Sequence, residues 1–254
     1  DDTRIQREAR DCRIFMIEVI EVKHPGDRAG REFINFPFVL YANSPCWVPP
    51  FRRGLHRIIA KRHPFFEHAE GAFFTAFHGH DAAGRIAVME NTLANQPPEE
   101  RTAQFCFFDC IENEEVAAAL FEAAEGWARK RGIKLITGPR FSSGTNGVGV
   151  LVDGFEYRAA MTMSTYNYSY YGKLIEDAGY VKRRDYFSAL IDAQSFMMPE
   201  RITRIAEITE RRGRFEVLKF SSKREIKKIS GAIGEMHNET LGLANEVKHL
   251  TDRD

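Results

Sequence analysis

Residues 102–139 read TAQFCFFDCIENEEVAAALFEAAEGWARKRGIKLITGP, and they set out a strand, a long helix and a second strand. The run 102–111 is rich in aromatic and apolar residues, which predicts a strand. Asn113 can cap a helix start, and Gly132 suits the position just beyond its end. KLITGP predicts a short strand after the helix. The helix carries one apolar stripe at helical spacing, formed by Ala117, Leu120, Phe121, Ala124, Trp127 and Ala128.

The flanking sequence predicts further strands and helices around this core. The segment 71–91 indicates a hairpin that turns between Gly79 and Gly84. The helix predicted over 31–44 should bend or break near Pro37. The remaining predicted elements are strands at 17–22, 160–167 and 184–193 and a short helix at 170–179 that ends on Gly179.

The segment 199–254 predicts an α/β unit of its own. It has a helix with proline at its start, a strand at 214–221 and a helix from 223 to 241 with one apolar face. Their apolar faces need a partner that the segment does not supply. We therefore expect two parts: a domain over 17–198 and the incomplete beginning of a second unit over 199–254.

Composition excludes several classes of protein. The 254 residues hold 36 basic and 36 acidic side chains, so no global charge attracts nucleic acid. No apolar run approaches the ~20 residues that span a bilayer, and the start lacks the apolar core of a signal peptide. Four cysteines in a chain of this length do not make a disulfide scaffold. These features predict a cytoplasmic protein without an integral membrane segment.

Several phrases of the chain resemble one family of known proteins. They are FPFVLYANSPCWVPP, GRIA, ALFEAAEGWARKRG, LVDGFEY and YNYSYYGKLIEDAGYVKRRDYFSAL, spread over residues 33–191. Together they resemble the family of YghO proteins and relatives of the bacterial ceramide synthases, within the GNAT superfamily of N-acetyltransferases. The resemblance implies an α/β (α+β) fold with a mixed, mostly antiparallel sheet flanked by helices, followed by the start of a second GNAT-like unit.

The resemblance also implies an activity. It is the transfer of an acyl group from acyl-CoA or acetyl-CoA, as co-substrate, to an amine, either a small molecule or lipid-like. GNAT proteins usually bind the CoA diphosphate at a glycine-containing turn before the long helix. Here the turn reads DCIENEEV, without glycine, and we expect its carboxylates, Asp109 included, to repel a diphosphate. The residues that bind the cofactor are therefore left unassigned.

The glycine-rich stretch 138–155, GPRFSSGTNGVGVLVDGF, has two readings. It is either a turn-rich crossover loop or a loop that lines a ligand site, because long, polar, ordered loops often bind ligands. On the second reading Ser142, Ser143, Asn146 and Asp153 contact substrate. Asp153 and Glu156 would act as general bases only if they were buried, and a solvated turn is the simpler reading.

The segment STYNYSYYG, residues 164–172, clusters tyrosines around one asparagine. In many GNAT enzymes a tyrosine at the start of the corresponding helix protonates the leaving thiolate. The resemblance therefore makes Tyr166, Tyr171 and Asn167 the catalytic candidates and Tyr170 a substrate contact. The alternative is that the rings only pack, with hydroxyls reaching water.

The histidines and cysteines do not predict a metal site. The five histidines between 56 and 80 lack the spacing of known ligand motifs. Cys106 and Cys110 lie four apart on a predicted strand and should share one face as buried free thiols. Two functions stay open: an acyl-CoA-dependent N-acyltransferase, or a non-catalytic GNAT-like module that binds a small molecule or a protein.

Overall fold

The structure is a computed structural model that describes residues 16–92, 101–141, 146–161, 164–189, 192, 194–213 and 217–240. Its centre is a five-stranded sheet with the order β1-β2-β3-β4-β5, in which only the β4–β5 pair is parallel. The strands are β1 (Ile17–Glu21), β2 (Ala69–His78), β3 (Asp81–Asn91), β4 (Thr102–Cys110) and β5 (Leu135–Thr137). The predicted mixed, mostly antiparallel sheet is confirmed.

Helices cover both faces of this sheet and bury two cores. On one face, α1 (Arg28–Leu40) and α2 (Arg52–Ile59) pack with a short 3-10 helix (Pro64–Glu67). On the other face lie α3 (Glu114–Arg129) and α4 (Tyr171–Asp177). Two short strands, β6 (Arg140–Phe141) and β7 (Asn146–Val148), form a separate ribbon, and α5 (Glu200–Arg211) and α6 (Lys223–Thr240) follow. Within the described residues, no helix combines the length and the apolar character that a membrane span requires.

The predicted long helix is confirmed in detail as α3. The Asn113 side chain accepts a hydrogen bond from the Val116 N–H, so it caps the helix as expected. Gly132 adopts φ +72° after the last turn, a conformation that favours glycine. Local signals at both ends of this helix therefore determine its length.

A β-bulge in β4 overturns one prediction. Arg85 pairs with Asp109 but Ala87 pairs with Cys106, so two residues of β4 lie opposite one residue of β3. Phe107 takes a positive φ of 51° at this point. A bulge changes the face to which the following side chains point. Cys106 consequently packs in the core under α1 and Cys110 in the core under α3, on opposite faces rather than one. Both are buried free thiols, as predicted.

Other predicted elements are wrong or shorter. The helix α1 runs through Pro37 without interruption, and Pro37 is buried in it. The hairpin turn is confined to Gly79 and His80. Within the described residues, the predicted strands at 160–167, 184–193 and 214–221 are absent. An alternating pattern forms a strand only where a neighbour pairs with it, and every residue from 181 to 189 is exposed.

The helices α5 and α6 were predicted and are observed, but neither buries a residue. Three isoleucines on one face of α5 are 41–50 % exposed: Ile202, Ile205 and Ile208. The division of the chain into 17–198 and 199–254 stays a prediction.

Candidate active site

Two tyrosine hydroxyls and one carboxylate meet at the end of β4. Tyr41 follows α1, Tyr171 begins α4, and Asp109 is the next-to-last residue of β4. The Tyr41 hydroxyl lies 2.9 Å from Asp109 Oδ1 and 2.7 Å from the Tyr171 hydroxyl. The Cys110 N–H donates to the Tyr171 oxygen over 3.2 Å. The Tyr171 hydroxyl also donates to Asp109 Oδ1 over 3.2 Å. The Cys110 amide, the two hydroxyls and the Asp109 carboxylate therefore form one hydrogen-bonded network, in which Oδ1 accepts from both tyrosines.

Arg85 neutralises the carboxylate from the neighbouring strand. Its Nε and Nη2 lie 2.7 and 2.6 Å from Asp109 Oδ2. The two side chains are only 5 % and 11 % exposed, so this is an almost fully buried ion pair. The β4 bulge places Asp109 directly opposite Arg85. Oδ2 of Asp109 thus pairs with Arg85, and Oδ1 accepts hydrogen bonds from the tyrosine hydroxyls.

The pKa values of these hydroxyls follow from burial and charge. Burial, and then the negative charge of Asp109, raises the pKa of Tyr41 and of Tyr171 well above the ordinary value. Burial also raises the pKa of Tyr170. Tyr41 and Tyr171 therefore stay protonated at neutral pH and act as hydrogen-bond donors rather than as bases.

Three further tyrosines extend the cluster outward, and each hydroxyl has a different partner. The Tyr170 hydroxyl donates to the Cys110 carbonyl over 2.8 Å. The Tyr168 hydroxyl donates to the Leu40 carbonyl over 3.0 Å. The Tyr166 hydroxyl differs, because it accepts a hydrogen bond from Ser44 Oγ over 2.9 Å and keeps its own proton for donation. Tyr166 is also only half-buried.

Aromatic stacking holds this group together. The Tyr41 ring lies 5.2 Å from Trp47, 5.1 Å from Tyr168 and 6.0 Å from Tyr166, measured between ring centroids. Tyr168 stacks on Tyr170 at 5.6 Å. We call Tyr41, Tyr166, Tyr168, Tyr170 and Tyr171 the tyrosine cluster. Tyr41 is its hub, since it contacts both the buried carboxylate and the half-buried Tyr166.

Asn167 fastens the glycine-rich stretch to the tyrosine cluster. Its Oδ1 accepts from the Leu151 N–H at 2.7 Å, and its Nδ2 donates to the carbonyls of Leu151 and Tyr168. Thr165 Oγ1 donates to the Val148 carbonyl nearby. These bonds confirm that the stretch runs beside the tyrosines. They also occupy the Asn167 amide with backbone partners, which is typical of a residue that positions a loop.

The other predicted substrate contacts are not drawn together in the same way. Ser142 and Ser143 lie outside the described residues, and of Asn146 only the backbone, at the start of β7, is described. Asp153 is exposed and accepts a hydrogen bond from the Gly154 N–H. Glu156 is exposed as well. Neither carboxylate is buried, which was the condition for a role as general base.

The start of α3 does not suit a diphosphate. Asn113 occupies the Val116 amide, and the carboxylates of Glu114 and Glu115 lie in the first turn. Lys173 bridges Glu114 and Asp177, each at 2.5 Å, so this cation is already neutralised. The prediction that Asp109 repels a diphosphate is wrong, because its carboxylate is buried against Arg85 and does not face an incoming phosphate.

Other places in the described residues offer less chemistry. A cavity of about 850 Å³ lies beside α3, with Glu21, Phe74, Trp127 and Arg131 in its lining. Its α3 lining comes from the C-terminal half of that helix, whereas the tyrosine cluster contacts Asp109 and Cys110, which precede the helix start. We place the candidate site at the tyrosine cluster. His78 and His80 are exposed at the hairpin. The described residues hold no group of three histidine, cysteine or acidic side chains that could bind a metal ion.

The chain has two curated relatives with significant sequence similarity. It is 35 % identical to bacterial ceramide synthase from Caulobacter vibrioides over 178 residues, which is 69 % of this chain and 46 % of that protein. It is 30 % identical to protein YghO from Escherichia coli over 155 residues, 61 % of this chain and 40 % of that protein. The chain is homologous to both. The resemblance predicted from the sequence is thus confirmed, and the chain spans less than half the length of either relative.

Other comparisons add little. No protein-family model matches the chain. A structure titled "a probable acetyltransferase" covers 69 % of this chain and 99 % of its own, at 11 % identity and a TM-score of 0.40. An aminoglycoside acetyltransferase from an uncultured soil metagenomic sample covers 49 % of this chain and 78 % of its own, at 10 % identity and a TM-score of 0.34. Because both TM-scores lie below 0.5, these superpositions establish neither a shared activity nor a shared site.

Sequence reasoning selected Tyr166, Tyr170 and Tyr171 as members of the site. It did not select Tyr41, Asp109 and Arg85. Two lone charges within apolar strands were the available signal. Asp109 follows FCFF, and Arg85 precedes IAVM. A charge on a buried strand requires a partner, and these two lie on strands that pair. The contact with Tyr41 had no local signal, because 68 residues separate it from Asp109.

Proposed function

We propose that this chain forms part of an N-acyltransferase that moves an acyl group from an acyl-CoA thioester to an amine, small or lipid-like. One observation carries the proposal. Tyr166 is half-buried, packs against the Tyr41 ring and accepts a hydrogen bond from Ser44, and among the described residues no acceptor takes its own proton. Tyr41 in turn donates to the buried Asp109 carboxylate. A relative is named a ceramide synthase, and a ceramide is an amide of a long-chain amine, which supports amine acylation.

The chemical step needs one proton donor that the cluster can supply. The amine nitrogen attacks the thioester carbonyl, the C–N bond forms and the C–S bond breaks with its electron pair on sulfur. The Tyr166 hydroxyl donates its proton to that thiolate. The proton lost by the amine passes to water, and water returns one to Tyr166. The products are an amide and a free thiol, so atoms and charges balance.

The environment of Tyr166 suits this role better than that of Tyr171. The Ser44 hydroxyl donates to the Tyr166 oxygen, which stabilises the phenolate that forms when the proton leaves. Tyr171 is 2 % exposed, and its pKa is raised further by burial and Asp109. We therefore assign Tyr166 as the donor and Tyr171 and Asn167 as positioning residues. Tyr170 and the polar stretch around Ser142, Ser143, Asn146 and Asp153 are proposed to line the acceptor side.

A second function rests on the start of α3. Its acidic first turn, with Lys173 already paired, opposes the usual binding of CoA there. A non-catalytic module that binds a small molecule or a protein would need no such site. The chain would then use the tyrosine cluster only for packing.

Thiol release separates the two functions. The full-length protein is incubated with acyl-CoA of several chain lengths and a panel of amines, and free thiol is measured with amide formed. We expect amide and thiol in equal amounts, and a Tyr166→Phe variant slowed by about 10²-fold or more. The matched control is Tyr157→Phe, since Tyr157 is 68 % exposed. A folded full-length protein with neither turnover nor acyl-CoA binding would establish the non-catalytic module instead.

A further inference from the structure

A proline inside α1 leaves one backbone carbonyl near the candidate site without its helical hydrogen-bond donor. In an α-helix the N–H of residue 37 would donate to the carbonyl of residue 33. Pro37 has no N–H, so the Phe33 carbonyl lacks that partner. The structure shows what takes its place: Arg85 Nη1 donates to the Phe33 oxygen over 2.8 Å. The exchange is buried, since Phe33 is 0 % and Arg85 4 % exposed.

This contact completes the coordination of the guanidinium. Nε and Nη2 of Arg85 already bind Asp109, so the buried Nη1 needs a separate acceptor. The Phe33 ring lies 5.0 Å from the Arg85 guanidinium carbon and adds a cation–π contact. The Phe33 carbonyl in α1 thus holds Nη1 of the planar guanidinium, while Nε and Nη2 face the Asp109 carboxylate.

The effect passes on to the tyrosines through contacts already described. Arg85 fixes Oδ2 of Asp109, and this holds Oδ1 in place as the acceptor of the Tyr41 and Tyr171 hydroxyls. Tyr41 carries the ring against which Tyr166 packs. An unbroken series of contacts therefore joins an interior proline of α1 to the proposed proton donor.

We propose that Pro37 is a positioning residue for this site: by withholding one N–H it leaves the Phe33 carbonyl to Arg85, which orders Asp109 and the Tyr41–Tyr171 hydroxyls. The catalytic consequence rests on the proposed function, but the ordering does not. Restoring the N–H gives the Phe33 carbonyl a helical donor that competes with Arg85. The carboxylate then loses its fixed orientation, and the two hydroxyls lose a fixed acceptor.

The test variant is Pro37→Ala in the full-length protein. Alanine is the most favourable residue in a helix interior and proline the least, so a purely structural role predicts a helix that folds well. We expect Tm to be maintained and kcat to fall at least tenfold, with KM for acyl-CoA within twofold. Val39→Ala is the control, because Val39 lies in the same helix and is 72 % exposed. It should leave kcat unchanged.

A second readout does not require turnover. Proton NMR of the wild-type protein should show slowly exchanging hydroxyl protons for Tyr41 and Tyr171, assigned by Tyr41→Phe and Tyr171→Phe. In Pro37→Ala these signals should broaden or exchange with solvent at least tenfold faster, and Arg85→Lys, which keeps the charge but loses the fork, should do the same. Unchanged hydroxyl signals in Pro37→Ala would overturn the proposal, whatever Arg85→Lys shows. Altered signals in a protein without turnover would uphold the ordering and refute only the proposed function.

Discussion

Replacing Asp109 by asparagine tests the energetic centre of the site. The substitution keeps the shape of the side chain and one acceptor oxygen for Tyr41, but it removes the charge that neutralises Arg85. Arg85 is 5 % exposed at its side chain, and its remaining acceptor among the contacts described is the Phe33 carbonyl. Breaking one partner of such a buried pair costs about 3–5 kcal/mol. We therefore expect the free energy of unfolding to fall by about 3 kcal/mol at pH 7.

Urea denaturation at pH 7 measures this loss. With an m-value of about 2 kcal/mol/M, a loss of about 3 kcal/mol lowers the urea midpoint by about 1.5 M. Asp153→Asn is the matched control, since Asp153 is exposed and should change stability by less than about 0.5 kcal/mol. The double variant Arg85→Met, Asp109→Asn should recover part of the loss, because it removes the unpaired charge. A loss below about 1 kcal/mol for Asp109→Asn alone would refute the reasoning.

Two further predictions concern alkaline pH and the start of α1. Burial raises the pKa of Cys110 to about 12 and raises that of Cys106 as well, so the folded chain keeps two protons that the unfolded chain loses above about pH 8.5. These thiols should leave stability unaffected below that pH and lower it by about 1.4 kcal/mol per pH unit for each thiol between about pH 9 and 10, before the unfolded tyrosines ionise and add to the slope. Cys110→Ala should roughly halve the slope in that window in urea titrations; a flat profile would contradict it. Asp27 caps α1 by accepting from the Gly30 N–H at 2.6 Å, so Asp27→Ala should lower the free energy of unfolding by about 1 kcal/mol at pH 7. Burial opposes the shift, but hydrogen bonds from backbone N–H groups hold the pKa of Asp27 below its ordinary value, so the loss should shrink as the pH falls from about 4 through that lowered pKa. A loss that does not shrink at low pH would be inconsistent with a cap by the carboxylate.

Features that are determined by residues close together in the sequence could be predicted from it. Features that depend on contacts between distant residues could not. The helix α3 was predictable because Asn113 and Gly132 lie next to its ends and its stripe lies within it. The mixed sheet followed from a family resemblance that the relatives confirm. The bulge at Phe107 was not predictable, since a phenylalanine at positive φ has no local signature and is held there by tertiary packing. It changed the face of Cys110.

The site divides in the same way. The cluster of Tyr166, Asn167, Tyr170 and Tyr171 stands within a few residues of sequence, so its members could be picked out together. The Arg85–Asp109 pair joins two strands, 24 residues apart, and depends on the register that the bulge sets. The strand predicted at 184–193 was wrong because an alternating pattern does not show whether a partner strand is present.

The most direct test of the central claim is the leaving-group dependence of the Tyr166→Phe variant. If the Tyr166 hydroxyl protonates the thiolate, the variant needs that proton only when the leaving thiol is a weak acid, as an alkyl thiol is with a pKa near 8.5. Turnover is therefore measured with an acyl-CoA and with the matching acyl thioester of an acidic aryl thiol. We predict a loss of about 10²-fold or more with acyl-CoA and near wild-type turnover with the aryl thioester. An equal loss with both donors, or no loss with acyl-CoA, would contradict the assignment of Tyr166 as the proton donor.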